Sequence, residues 1–178
     1  MKKVLFCFAV TSLLFACKQP EPRKPVSYRS GTFIKESVQR NKNIVQDEEK
    51  LIQNLIKNDS AHHYYQSDLG FWYKYDVAVT TDSLLPKKGD IVKLDFEIYD
   101  INKQLIYSKE ETAPKLYAVD KQEIMVGLRH AVKLMHKGET VSFIFPSHMA
   151  YGYLGDKEKI GTNVPLICKV TLNDIKPE

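Results

Sequence analysis

The sequence predicts an α+β domain, a half-wrapped antiparallel sheet packed on one amphipathic helix, and three patterns predict it. Apolar residues alternate through four segments, as in strands with one buried face. These are Phe71, Tyr73, Tyr75, Val77 and Val79; Val92, Leu94, Phe96 and Ile98; Val141, Phe143 and Phe145; and Leu166, Cys168, Val170 and Leu172. Before the third segment, Ile124, Leu128, Ala131, Val132 and Met135 keep three- and four-residue steps, an apolar stripe of about three turns. Turn signals stand between the segments: Pro86-Lys87-Lys88-Gly89, Asn102-Lys103, and Lys137-Gly138, whose glycine reads as the end of the helix. Several antiparallel strands with a single helix make an α+β unit.

The chain has 178 residues, enough for one domain with appendages, and its hydrophobic content of 43% excludes a disordered polymer. The formal charge is +4, but Lys2 and Lys3 fall in a segment expected to be removed, leaving 24 basic against 22 acidic residues. No basic stripe interleaves with aromatics, so nucleic acid is not an expected partner. Residues 1–16 read as a signal peptide. Met1-Lys2-Lys3 is the positive start, and Val4 to Phe15 is an apolar run of 12 residues, too short to span a bilayer.

That run ends Leu14-Phe15-Ala16-Cys17, which resembles the bacterial lipobox, where a small residue precedes the cut and the thiol after it carries diacylglycerol. An ordinary secretory cut at Ala16 is the plainer alternative. Acylation of Cys17 would supply the several chains that stable membrane attachment needs. Lys18 rather than aspartate follows Cys17, which favours the outer over the inner membrane, facing the periplasm. With Cys7 leaving in the signal and Cys17 acylated, Cys168 remains alone, without a disulfide partner.

Residues 17–36 read as a tether stiffened by Pro20, Pro22 and Pro25, with a reach of roughly 25 Å if flexible. Residues 37–69 form a helical segment. Ile44, Glu48, Leu51, Ile52, Leu55 and Ile56 recur at helical steps between Ser37 and Lys57, and Asn58-Asp59-Ser60 ends the run. This helix either packs on its own domain or makes a homodimer. His62 and His63 lack companion ligands at metal-binding spacing and read as a solvated turn; no metal or cofactor is implied. The remaining domain is residues 70–178.

No nucleophile elbow, phosphate loop or paired carboxylates appear. The stretch from Gly70 to Lys176 nevertheless carries three ordered landmarks: Gly89-Asp90-Ile91-Val92, the strand exit Pro146-Ser147-His148-Met149-Ala150-Tyr151-Gly152, and Val164-Pro165-Leu166-Ile167. On these it resembles the FKBP-type peptidyl-prolyl cis–trans isomerases. The resemblance implies rotation of X-Pro bonds in proline-containing exported polypeptides, a reaction that needs a dry apolar cage rather than an acid or base. It places Phe96, Met125 and Tyr151 in the catalytic set, Met125 through its backbone N–H and Tyr151 through its hydroxyl. Ile106, Tyr107, Tyr117, Ile124, Leu128 and Cys168 are then expected around the substrate.

Where that family often shows Phe-Asp-Ser-Ser, this chain reads Ile106-Tyr107-Ser108-Lys109, and Leu128 and Cys168 stand where Trp and Phe are common. Those differences imply a wider, less aromatic cage. Taken singly, Leu128 and Cys168 would be plain core and Tyr151 a loop aromatic. Lipobox, tether, helix and Gly70-Phe71-Trp72-Tyr73 together resemble the isomerase lipoproteins associated with gliding motility. The rival expectation from another class is a non-catalytic peptide-binding module of an envelope machine; a purely structural lipoprotein is the third.

Overall fold

The computed structural model describes residues 31–80, 84–112 and 115–178, so the expected signal peptide, Cys17 and most of the tether lie outside the described residues. The chain divides into two compact units, residues 1–36 and 37–178, and the second holds the whole sheet.

Seven strands form one open antiparallel sheet among the described residues. They are β1 (Tyr65–Gln66), β2 (Trp72–Val77), β3 (Ile91–Tyr99), β4 (Leu105–Tyr107), β5 (Lys115–Ala118), β6 (Thr140–Phe145) and β7 (Leu166–Lys176). Their order is β1-β2-β6-β7-β3-β4, with β5 sharing β3's outer edge beside β4. β3 and β7 pair over the greatest length, Ile91↔Lys176 to Tyr99↔Ile167, interrupted by a register shift at Lys93/Leu94.

Period-2 alternation puts one face of every long strand into a single core. Val92, Leu94, Phe96 and Ile98 of β3 meet Val141, Phe143 and Phe145 of β6 and Leu166, Cys168, Val170 and Leu172 of β7. All are buried. Against this inner face lies α2 (Val126–Ala131), with Leu128 and Ala131 turned inward. Gly127 lets it come close: a Cβ there would fall 2.5 Å from the Phe145 ring. The helix is shorter than its apolar spacing predicts. Met125 is extended at ψ 131° and stays outside it, and Val132–Leu134 tighten into a 3-10 turn. Gly138 does not end the helix; at φ 87° it turns the chain into β6 and its N–H donates to Leu172 O at 2.7 Å.

The outer face is covered in part by α1 (Gly31–Asn58), which begins inside the segment expected to be tether. Trp72, Ile144 and Ile167 lie in register across β2, β6 and β7. Ile52 packs onto this row with Leu55 and Ile56 around it. Leu51, expected on the packed stripe, is 51% exposed, whereas Ile52 is 0% exposed. The packed stripe therefore runs through Glu48, Ile52, Leu55 and Ile56, and Ile34, Val38 and Val45 stay exposed. Beyond the helix, Asp59 accepts the Tyr64 hydroxyl at 2.7 Å and lies 2.6 Å from His62 Nδ1, so the two adjacent histidines fall in a hydrogen-bonded turn.

The packing generates a contrast between neighbours. Ile52→Ala should lower unfolding free energy by about 2–5 kcal/mol, while Leu51→Ala should stay within about 0.5 kcal/mol. Denaturant unfolding followed through Trp72 fluorescence measures both, and equal effects would mean that α1 does not close the outer face.

Candidate active site

The cleft lies at the rim of the inner face, where β3, β4, β5 and the chain after β6 converge. Its volume is about 330 Å³. Phe96 and Ile98 come up from β3, Tyr107 from β4, Thr112 and Lys115 from the neighbouring turn and edge strand, and Tyr151 from the loop after β6. Thr112 ties that turn to β3 through a 2.5 Å hydrogen bond from its Oγ1 to Phe96 O.

Pro146 ends β6 because it cannot continue the ladder. A 3-10 turn, Ser147–Met149, comes next and delivers Tyr151 to the cleft. Tyr151 is half-buried. Burial, helped by Cys168 and the negative charge of Asp156, raises its phenol pKa, so it stays protonated. Its hydroxyl has no partner among the described residues, and neither has the Met125 N–H. These are the two donors that the family resemblance implies, and both are free.

The other expected residues divide. Ile106, Ile124 and Met125 are half-buried and pack against the inner core, and none of the three lines the cleft. Tyr117, Leu128 and Cys168 are 0%, 2% and 0% exposed and do not line the cleft. The Tyr117 hydroxyl is engaged in accepting the Asp120 N–H at 3.1 Å, where Asp120 turns at φ 56°. Burial pushes the Cys168 thiol pKa far up, leaving an inert apolar group. The Trp-to-Leu and Phe-to-Cys differences therefore do not open the floor onto the cleft.

The rim is where the sequence is least informative. The Tyr107 hydroxyl donates to Asp156 at 2.5 Å and lies 3.4 Å from Glu158. The Lys159 ammonium sits 4.6 Å from the centre of the Tyr107 ring, pairs with Glu111, and donates to Ile106 O at 3.2 Å. Asp156 also accepts the N–H groups of Glu158 and Ile160, each at 2.8 Å, so the loop folds around its carboxylate. Gly155 makes this turn possible, because at φ 63° a Cβ would lie 2.3 Å from Ile160 O. Tyr107 thus latches β4 to the loop carrying Tyr151. Asp156-Lys157-Glu158-Lys159 reads in sequence as a solvated charge run; only the contiguous Gly155-Asp156 hints at a turn.

The family profile of the FKBP-type peptidyl-prolyl cis-trans isomerases matches residues 83–173, just over half of the chain and all of the cleft. The chain belongs to this family. No curated protein sequence matches it. Among solved structures it is similar to a peptidyl-prolyl cis-trans isomerase from Pseudomonas syringae pv. tomato, with 16% identity, a TM-score of 0.61, and coverage of 76% of this chain and 96% of that one. It is also similar to FkpA from Escherichia coli, with 20% identity, a TM-score of 0.61, and coverage of 99% of this chain and 83% of that one. At such identities the likeness is one of fold.

Burial alone would raise the Asp156 pKa, but the Tyr107 hydroxyl and the two backbone donors outweigh it and hold the carboxyl below its ordinary value. Hydrogen bonding to Asp156 in turn pushes Tyr107 up to about 12. A depressed carboxylate contributes stability that is present above its unfolded value, about 3.9, and is lost as pH falls through the folded one. Tyr107→Phe should raise the Asp156 midpoint and shift the acid loosening of the loop to higher pH. Carbon-detected NMR titration measures this, and an unmoved midpoint would remove the latch.

Proposed function

We propose that this FKBP-type isomerase acts on proline-containing exported polypeptides while lipid-anchored in the cell envelope. The observation that carries the catalytic part is the free Tyr151 hydroxyl in a cleft walled by Phe96 and Ile98, with the free Met125 N–H at the entry of α2 as the second donor. The X-Pro amide resists rotation by about 20 kcal/mol because twisting breaks its resonance. At the twisted state the nitrogen is pyramidal and the carbonyl loses part of its dipole. An apolar wall strips water from the planar ground state, and fixed donors on flanking carbonyls hold the chain in the turn-like geometry of the twisted one. No proton is transferred.

The alternative, a peptide-binding module without turnover, is favoured by the charged rim of Asp156, Glu158 and Lys159 across the cleft mouth. Catalysis separates the two. The full chain should accelerate cis-to-trans relaxation of X-Pro peptides with little change between about pH 6 and 8, because the shifted groups of the cleft lie low (Asp156) or high (Tyr107, Tyr151). Tyr151→Phe should reduce the rate several-fold to about tenfold, one net hydrogen bond, and Phe96→Ala more. Binding without acceleration, in peptides and in a proline-limited refolding protein alike, would establish the module instead.

The envelope part rests on the lipobox ending at Cys17 and on the tether after it, with attachment to the outer membrane the favoured site. The same architecture supports an assignment to the gliding-motility-associated lipoproteins, which loss of surface spreading in a deletion strain would test. Exposed Ile34, Val38 and Val45 on α1 support a homodimer through the part of the helix that the sheet does not cover. Leu55 is unsuited to that role because it packs with Ile52 against the sheet. Cys17→Ser should abolish fatty-acid labelling and release the chain from membranes. The released chain should have the mass of a dimer, halved by Val38→Asp. Continued labelling, or a monomeric released chain, would refute anchor or dimer respectively.

A further inference from the structure

Glu48 is the one carboxylate on the packed stripe of α1, and it is 5% exposed. A carboxylate is buried only where hydrogen bonds replace its water. Here both oxygens are used by one residue 99 positions away: Ser147 donates its backbone N–H to Oε2 at 2.8 Å and its hydroxyl to Oε1 at 2.6 Å. Ser147, itself 4% exposed, is the first residue of the 3-10 turn between β6 and Tyr151. The N–H groups that open such a turn have no partner within it and are usually capped by the side chain of the residue before. That residue is Pro146, which has no acceptor to offer, so the cap comes from α1.

From Ser147 onward the path to the cleft is short and rigid. Met149 N–H donates to Pro146 O at 2.9 Å, and Ala150 N–H donates to Ser147 O at 3.0 Å. Tyr151 is the next residue. No residue of α1 lines the cleft. We propose that Glu48 is a positioning residue for the isomerase cleft, acting from the far side of the sheet by capping the turn that aims the Tyr151 hydroxyl. This role rests on the reading that Tyr151 serves the cleft. It makes α1 part of the working isomerase rather than a spacer.

The test uses the full chain with two readouts. Hydrogen exchange of the 147–152 amides needs no turnover, and X-Pro isomerisation is measured for Glu48→Ala, Glu48→Gln and Ser147→Ala, each also combined with Tyr151→Phe. Glu48→Ala should raise exchange at 147–152 while β3 and β7 stay protected, and should lower kcat/KM about three- to tenfold, mainly through kcat. Glu48→Gln keeps an acceptor for the Ser147 N–H and should recover most of the loss, and Ser147→Ala should fall between them. With Tyr151→Phe in place, Glu48→Ala should cost less than about twofold, because the group it aims is gone. An equal loss in both backgrounds, or unchanged exchange at 147–152 in the folded variants, overturns the proposal. Should Glu48→Ala fail to fold, Ser147→Ala decides by the same two criteria. A wild-type chain without activity defeats the isomerase reading, and the exchange result then decides the capping role by itself.

Discussion

The structure depends on β6 being buried on both faces. Val141, Phe143 and Phe145 enter the inner core, and Ile144 between them is equally inaccessible on the other side. A central strand of this kind cannot face water on either side, so the sheet needs two covers. The inner cover is α2 with the turn after it; the outer one is the C-terminal half of α1, which closes over Trp72, Ile144 and Ile167. Because β6 ends at the loop carrying Tyr151, whatever fixes this strand also fixes the position of the candidate catalytic hydroxyl.

That arrangement explains how a site without an acid or base can still have defined geometry. The apolar wall is the rim of the core itself, Phe96 and Ile98, held by the longest strand pairing in the molecule. The polar part is supplied by a loop that hydrogen bonds hold as well as packing, since Met149 and Ile160 anchor it in the core. Glu48 caps its start through Ser147, and Tyr107 latches it beyond Tyr151 through Asp156. Rigid strands thus set the floor, and a few charge-assisted bonds set the mouth.

Strand positions are legible in the sequence because alternation reports burial directly, and Trp72, out of phase with Phe71 and Tyr73, belongs to a second buried face. Helix limits are less so. Ile124 and Met135 keep helical spacing in sequence, yet Met125 and Met135 adopt extended backbone, since apolar spacing records which side chains are buried and not the backbone that carries them. The start of α1 at Gly31 escapes the pattern because Lys35, Glu36, Gln39 and Arg40 form helix readily but give little apolar periodicity. In the site, the strand-exit motif points to Tyr151; alternation places Phe96 on a buried face, and only the family resemblance brings it to the site. The latch at Asp156 is invisible, because a carboxylate in a charged loop looks solvated until its partner from another strand is placed beside it. Glu48 is visible as a polar residue on an apolar stripe, but its partner lies too far along the chain to be inferred.

The central claim is that the cleft between Phe96 and Tyr151 holds the proline, with Met125 N–H and Tyr151 Oη as donors. Titrating the full chain with an X-Pro tetrapeptide and following backbone amide shifts by NMR tests it most directly. The account predicts that the Met125 N–H moves downfield as it gains an acceptor, together with shifts at Tyr107 and Tyr151, while amides near Ile52 and Lys74 on the outer face stay still. Shifts confined to the outer face, or a Met125 amide that does not respond while the peptide binds, would contradict it.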